Sequence, residues 1–119
     1  MNAPEPAADC LFCKIVAGDI PAEIVHATDT VVAFRDVNPQ APTHVLVVPR
    51  SHYETAADVA HWEPSAAADL VIAAAAVAVK EGLGEGYRLV FNTGPAGGQV
   101  VPHAHLHVLG GRALGWPPG

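Results

Sequence analysis

Near one end of the chain three histidines alternate over five positions, His103-Ala104-His105-Leu106-His107, and near the other two cysteines flank two residues in Cys10-Leu11-Phe12-Cys13. Imidazole and thiolate are side chains that bind metals, carry protons and attack electrophilic centres near neutral pH. On a strand, successive side chains point to opposite faces, so His105 and His107 share one face, roughly 6.6 Å apart along the chain. A tetrahedral phosphate fits between two imidazoles so arranged, while Ala104, Leu106 and Val108 meet a core. Chance exposure of several histidines on one strand is the plain alternative. With seven histidines in the whole chain, three alternating within five positions argue against it. Two chemistries fit the spacing equally. Either three histidines hold a catalytic metal with one open position for water, or one imidazole is itself a nucleophile that forms a covalent intermediate.

The Cys-x-x-Cys pair by itself reads as a redox couple, a pair of core residues or half a zinc site. A redox pair normally opens a helix within a thioredoxin-like strand–helix–strand pattern, and no such pattern follows here. A zinc site needs two further ligands.

The elements that must position these residues follow from patterning. Residues 24–28 and 30–35 read as strands with a turn at Asp29, and the two prolines in residues 36–42 make that stretch a loop. Residues 43–48 are β-branched and nearly all apolar, which suits a central strand ended by Pro49. Ser51 is expected to cap a short helix from His52, with Glu54 at the capping-box position. A longer, Ala-rich helix is expected from Ser65, closed by Gly82 or Gly84. Residues 87–92 alternate as a strand, residues 94–98 form a Gly-rich loop, and residues 103–108 make the last strand. Strands, then helices, then strands with short links predict an α+β fold: an antiparallel sheet with one short and one longer helix packed against it.

At 119 residues, half apolar and 15% charged, the chain is expected to form one domain over residues 10–119, with residues 1–9 a flexible tail. A net charge of −6 from only six Lys and Arg argues against a nucleic-acid partner, because tracking a phosphate backbone takes clustered cations. Any phosphate bound is expected to be small and held locally. Residues 1–9 lack the basic and apolar regions of a signal peptide, and the weakly polar run over residues 66–79 is too short to span a membrane. The expectation is a cytoplasmic protein with reduced cysteines and no membrane contact.

The residues also carry a family resemblance. The run from His103 to Leu109 resembles the His-φ-His-φ-His-φ-φ signature of the histidine-triad superfamily. Residues 34–49 resemble its nucleotide-side segment, and residues 86–94 followed by Gly97-Gly98-Gln99 resemble its phosphate-side segment. Gly110-Gly111-Arg112 and the ending Trp116-Pro117-Pro118-Gly119 are similar to the Hint branch, and the cysteine pair to its zinc-knuckle, bacterial-type variant. The resemblance covers nearly the whole chain, roughly residues 10–119.

It implies a HIT-like fold, a homodimer with a continuous sheet, and hydrolysis of purine nucleoside 5′-phosphoramidates, conjugates of a purine mononucleotide with an amine. It implies that neutral His105 attacks the α-phosphorus, giving a nucleotidyl-imidazole that water hydrolyses; an unperturbed imidazole, titrating near ~6.5, is largely neutral at pH 7. His107 then hydrogen-bonds the phosphoryl group, and His44 supports the cluster from beside His105. Asn92 and the backbone N–H groups of Gly97, Gly98 and Gln99 hold phosphate oxygens. Asp36 accepts from the ribose hydroxyls. Phe12, Ile15, Ile20, Phe34, Val37 and Leu46 line the base pocket, and Trp116 packs across a subunit boundary near the partner's site. Cys10, Cys13, His52 and His103 are implied as the ligands of a closed structural zinc, with no catalytic metal. Strict alternation sets His103 on the face of His105, so Pro102 or strand twist must turn it toward the metal.

One departure stands out: after Gln99 the Hint branch commonly carries a serine that helps the leaving group, and this chain has Val100. A valine neither donates nor accepts. Three other readings remain: a dinucleoside-polyphosphate hydrolase, a zinc hydrolase with the triad as ligands, and a nucleotide-binding interaction protein with weak catalysis.

Overall fold

The computed structural model describes residues 9–119. The flexible tail expected over residues 1–9 therefore lies, except for Asp9, outside the described residues. Five strands, β1 (Ile24–Ala27), β2 (Val31–Arg35), β3 (Thr43–Pro49), β4 (Arg88–Phe91) and β5 (Leu106–Gly110), form one antiparallel sheet in the order β1-β2-β3-β5-β4. Three helices accompany it: α1 (Leu11–Ala17), α2 (Ala56–Trp62) and α3 (Pro64–Lys80). This is the α+β architecture expected, with one helix more than the pattern predicted.

All seven residues of β3 are buried, because the strand sits in the centre of the sheet and both its faces are covered. The period of two sorts the side chains. Val31, Ala33, Val45, Val47, Leu106 and Val108 join the core beneath α3, whose inward positions Ala66, Leu70, Ala73, Ala74, Val77 and Ala78 recur at helical spacing. Truncating a leucine buried as Leu70 is to alanine costs about 2–5 kcal/mol in such a core. Val32, Phe34, Leu46 and Val48 face the other way and pack under α1, around Phe12. That second face also carries His44 and His107, since His44 precedes Val45 and His107 precedes Val108. Ala104, Leu106 and Val108 are buried, as the alternation predicts.

The helices depart from expectation at their starts. The helix anticipated from His52 begins at Ala56 instead, because Thr55, not Ser51, caps it. Thr55 accepts from the Asp58 N–H at 3.2 Å and its own N–H donates to Asp58 at 3.3 Å, completing a capping box. The unanticipated α1 starts at Cys10, whose Sγ accepts from the Cys13 N–H at 3.3 Å, and stops at Gly18 in the left-handed region (φ 82). α3 begins one residue before Ser65, with Pro64 at its first position, and Gly82 (φ 71) turns the chain away as expected. The last strand begins at Leu106 rather than at residue 103. The preceding residues leave the ladder: the His103 N–H bonds Val101 O at 2.9 Å, and the Ala104 N–H bonds Tyr53 O at 2.7 Å.

Candidate functional site

The segment from Val101 to His105 is fixed from below by Tyr53, a fully buried side chain that receives the Ala104 N–H on its carbonyl and whose hydroxyl donates to Glu63 at 2.6 Å. Burial, reinforced by that carboxylate, pushes the phenol up to about 12, so it stays a donor. Because this segment bends before β5 starts, His103 and His105 are not held to strand alternation. His103 turns toward the cysteines, while His105 and His107 stay together, ring centroids 4.9 Å apart.

The hydrogen bonds assign protons to these rings, because a carbonyl can only accept and a backbone N–H can only donate. His105 Nδ1 lies 2.8 Å from His103 O, so Nδ1 carries the proton and Nε2 is a bare lone pair. The Gln40 N–H donates to His44 Nδ1 at 3.0 Å, so in the neutral ring His44 Nε2 carries the proton and passes it to His107 Nδ1 at 2.9 Å. His107 is thereby left with its proton on Nε2. The two rings present opposite faces of acid–base chemistry: an electron pair on His105 and an N–H on His107. Burial first, then the neighbouring His105 and His44, lower His107 to about 4, so it stays neutral at pH 7. Burial likewise lowers His44, against the opposing pull of Asp36. His44 thus contacts His107, not His105 as the resemblance implied.

His105 and His107 border a cavity of about 420 Å³. Phe12, Ile15, Ile20, Phe34, Val37 and Leu46 line it with Asp36, Asn92 and Gly98. Phe12 is its hinge pin, edge-on to Phe34 (5.4 Å between centroids) and to His105 (5.1 Å). Asp36 accepts from the Asn38 N–H at 2.9 Å and stands 3.4 Å from His44 Nε2.

Two implied contacts, those of the loop amides and of Asn92, come out differently. The backbone N–H groups of Gly97, Gly98 and Gln99 are consumed within their own turn, by Gly94 O, Pro95 O and Gly94 O at 3.0–3.1 Å. The Gln99 side chain is a brace outside the cavity lining: it accepts from the Gly94 N–H and donates to Glu54 O and Val101 O. Asn92 instead holds that turn, donating to Gly97 O at 2.8 Å, beside Gly98 in the left-handed region (φ 85). Trp116 lies outside the lining and is 85% exposed, so within one chain it reaches no site.

Sequence reasoning missed the groups that set the tautomers, His103 O and the Gln40 N–H, because backbone atoms carry no residue signature. It also missed Arg35, the one cation in the lining among the described residues, and the cavity-bordering Leu11 and Val101.

Two clusters bring metal-capable atoms together, within 4.8 Å of one another in each case: Cys10, Cys13, His52 and His103, and Asp36, His44 and His107. The proton assignment separates them. His103 Nε2 lies 2.9 Å from Pro49 O, so its Nδ1, turned to the cysteines, is a lone pair. Burial is the main force lowering His103 to about 4, which keeps that lone pair available. Sγ···Nδ1 distances of 3.2, 3.4 and 3.5 Å and an Nδ1···Nδ1 distance of 3.2 Å match the edges of a tetrahedron with Zn–S ~2.3 Å and Zn–N ~2.0 Å, about 3.5 and 3.3 Å. The four donors fit a zinc-sized ion. In the second cluster the one proton on His44 Nε2 is donated to His107, so Gln40, His44 and His107 form a hydrogen-bonded relay with Asp36 3.4 Å from His44 Nε2.

The comparisons agree with this geometry. The family model described as "HIT domain" matches residues 17–114. The chain is 46% identical over 110 residues, 92% of each protein, to a protein of Escherichia coli K12 named purine nucleoside phosphoramidase. It is 50% identical over 111 residues, 93% of this chain and 97% of the relative, to an uncharacterised HIT-like protein of Synechococcus elongatus. Among solved structures it superposes on a HIT family hydrolase from Legionella pneumophila with a TM-score of 0.89 and 51% identity, covering 93% of this chain and 100% of that one. A histidine triad protein from Clostridium difficile gives 0.87 at 40% identity, covering 92% and 96%.

The buried neutral histidines make stability pH-dependent with a definite sign. His107 titrates near 6.5 in the unfolded chain and about 4 in the folded one, so between those values the unfolded state binds more protons. Stability is full above about pH 6.5 and falls as the pH drops toward 4. The urea midpoint is expected to fall between pH 7 and pH 5, and to fall less in His107→Gln; an equal fall in both proteins would refute the assignment.

Proposed function

Because the chain belongs to the HIT domain family, we propose that it hydrolyses purine nucleoside 5′-phosphoramidates, with His105 as the nucleophile. The observation that carries the reading is the opposite tautomers of His105 and His107 at one cavity wall. His105 Nε2, the nitrogen not bonded to His103 O, attacks phosphorus; the P–N bond breaks, and its electron pair leaves on the amine, which takes a proton from His107 or water. His105 Nδ1–H, held by a carbonyl dipole, accommodates the positive charge on the ring of the nucleotidyl intermediate. Water then attacks phosphorus, releasing the mononucleotide and restoring the lone pair. His107 Nε2–H hydrogen-bonds a phosphoryl oxygen, Asn92 stands by for another, and Asp36 accepts from the ribose. Phe34, Ile20, Leu46 and Val37 form the base wall. Preference for a purine draws on the name of the Escherichia coli relative.

A dinucleoside polyphosphate is a poorer fit, because its several charges need free cations. Arg35, the cation in the lining among the described residues, is bound bidentately by Glu81 at 2.5 and 3.1 Å and by Glu23 as well. A second reading, a nucleotide-binding protein with weak catalysis, is favoured by one feature, Val100 at the cavity edge.

We read Cys10, Cys13, His52 and His103 as ligands of a structural zinc. Bound there, the ion supplies a closed tetrahedral crosslink between α1 and the histidine segment, with no position left for substrate. A homodimer draws support from Trp116 and from Val71, Ile72 and Val79, exposed apolar side chains on α3. We place the protein in the cytoplasm as a single domain over residues 10–119; no helix among the described residues is long and apolar enough to cross a membrane.

His105→Ala is expected to lose at least about 10³-fold in turnover of adenosine 5′-phosphoramidate while still binding AMP. If wild type binds AMP and both proteins show the same negligible turnover, the binding-protein reading replaces this one. Elemental analysis is expected to find one zinc per chain, lost in Cys13→Ser along with several degrees of melting temperature, while turnover persists; zinc-free protein with both thiols titratable would refute the site. Sedimentation at micromolar concentration is expected to give a dimer, and a monomer there would remove that claim.

A further inference from the structure

Cys10 and Cys13 open a helix, a placement that redox pairs take and that the sequence pattern did not predict. No disulfide joins them, and their sulfurs lie within 4.8 Å of each other. Cys13 is part-exposed and Cys10 is buried. One sulfur is therefore open to a small oxidant, and the other is placed to resolve it. The pair also ties α1 to the rest of the molecule. Among the described residues, the side-chain hydrogen bonds from residues 10–17 to the rest of the chain run through Cys10 and Cys13. Cys10 meets His103 at 3.4 Å, and Cys13 meets His52 at 3.2 Å and His103 at 3.5 Å. Otherwise α1 is held by the apolar packing of Phe12, Ile15 and Val16. Leu11, Phe12 and Ile15 of this same helix wall the cavity, with Phe12 edge-on to His105 at 5.1 Å. The state of the two sulfurs thus governs how firmly that wall stands.

We propose that Cys10 and Cys13 are a peroxide-oxidisable pair, whose conversion to a disulfide opens the metal site, loosens α1 and weakens nucleotide binding. The inference rests on the reading of the cavity as a nucleotide site. The Cys13 thiolate attacks the O–O bond of a hydroperoxide, becoming a sulfenic acid and expelling an alkoxide, or hydroxide from hydrogen peroxide. The Cys10 thiolate then attacks that sulfur, forming the S–S bond and expelling hydroxide. The two sulfurs give up two electrons in all, and the peroxide takes them. Holding a metal needs thiolates, so the four donors release the ion. Both sulfurs are now bonded within one helix, and α1 keeps only its apolar packing. Tyr53 O and Pro49 O still hold the histidine segment, so the effect falls on affinity and leaves the chemical step in place.

The test treats the reduced, zinc-loaded full chain with equimolar hydrogen peroxide, and afterwards with a phosphine reductant and zinc. A chromogenic chelator reads the metal released, mass spectrometry reads the peptide carrying residues 10–13, and calorimetry reads AMP affinity. Peroxide is expected to free the metal, join the two cysteines within one chain and raise the AMP Kd about tenfold, a usual strength of coupling between sites. Reduction with zinc is expected to restore all three. Cys10→Ser combined with Cys13→Ser is expected to bind AMP as weakly as the oxidised protein and to ignore peroxide. Should that variant not fold, the reversal in wild type decides alone. A disulfide that leaves the AMP Kd unchanged overturns the inference, and so does an equal loss of affinity to peroxide in the double variant. Thiols that survive peroxide overturn it as well. If the reduced protein binds no AMP, the nucleotide reading falls. The pair is then decided by the melting temperature: a drop on oxidation that reduction reverses supports it, and no drop overturns it.

Discussion

A single hydrogen bond, from His105 Nδ1 to the carbonyl of His103, sets the chemistry that this molecule can offer. A neutral imidazole has one proton for two nitrogens, and a peptide oxygen can only accept. Holding the ring against that oxygen therefore forces the lone pair to Nε2. The rest of the site follows from keeping His103 O where it is. Tyr53 O takes the next N–H along the chain, Pro49 O takes the far side of the His103 ring, and the cysteines of α1 meet its near side. Three separate contacts thus hold the two-residue arc from His103 to His105.

The same logic runs in the opposite sense through the second histidine. The Gln40 N–H occupies His44 Nδ1, His44 donates to His107, and His107 emerges as a donor. Two neighbouring rings of the same residue type thus differ: a backbone carbonyl leaves His105 with a lone pair on Nε2, and a backbone N–H acting through His44 leaves His107 with an N–H. Burial keeps the His107 and His44 rings neutral, so the relay does not need an added charge. Among the described residues, no buried side-chain polar atom lacks a partner, as a low-dielectric site requires.

Charge is handled by withdrawal. In a chain of net charge −6, the Arg35 guanidinium is committed to Glu81, at the end of α3, and to Glu23. Those carboxylates hold Arg35 above its ordinary range, and Arg35 holds Glu81 below the usual carboxylate range. What remains is a cavity that is apolar around a small polar group of Asp36, Asn92, His105 and His107.

Much of this was legible in the residues. The alternation of His103, His105 and His107 against Ala104, Leu106 and Val108 marked the histidine run and set Leu106 and Val108 on the core side of β5, since strand geometry has a period of two. The apolar run in β3 determined the centre of the sheet, and the alanines of residues 66–78 determined the long helix. Tertiary structure decided what local pattern cannot encode. It showed that Thr55 rather than Ser51 caps α2, that Cys10 opens a helix, and that His103 leaves the strand to face the cysteines. It showed that the amides of Gly97, Gly98 and Gln99 are spent within their own turn. Above all it decided which nitrogen of each histidine bears the proton. A residue's type fixes what it can donate or accept, but the partner that makes the choice here is a backbone atom brought near by the fold.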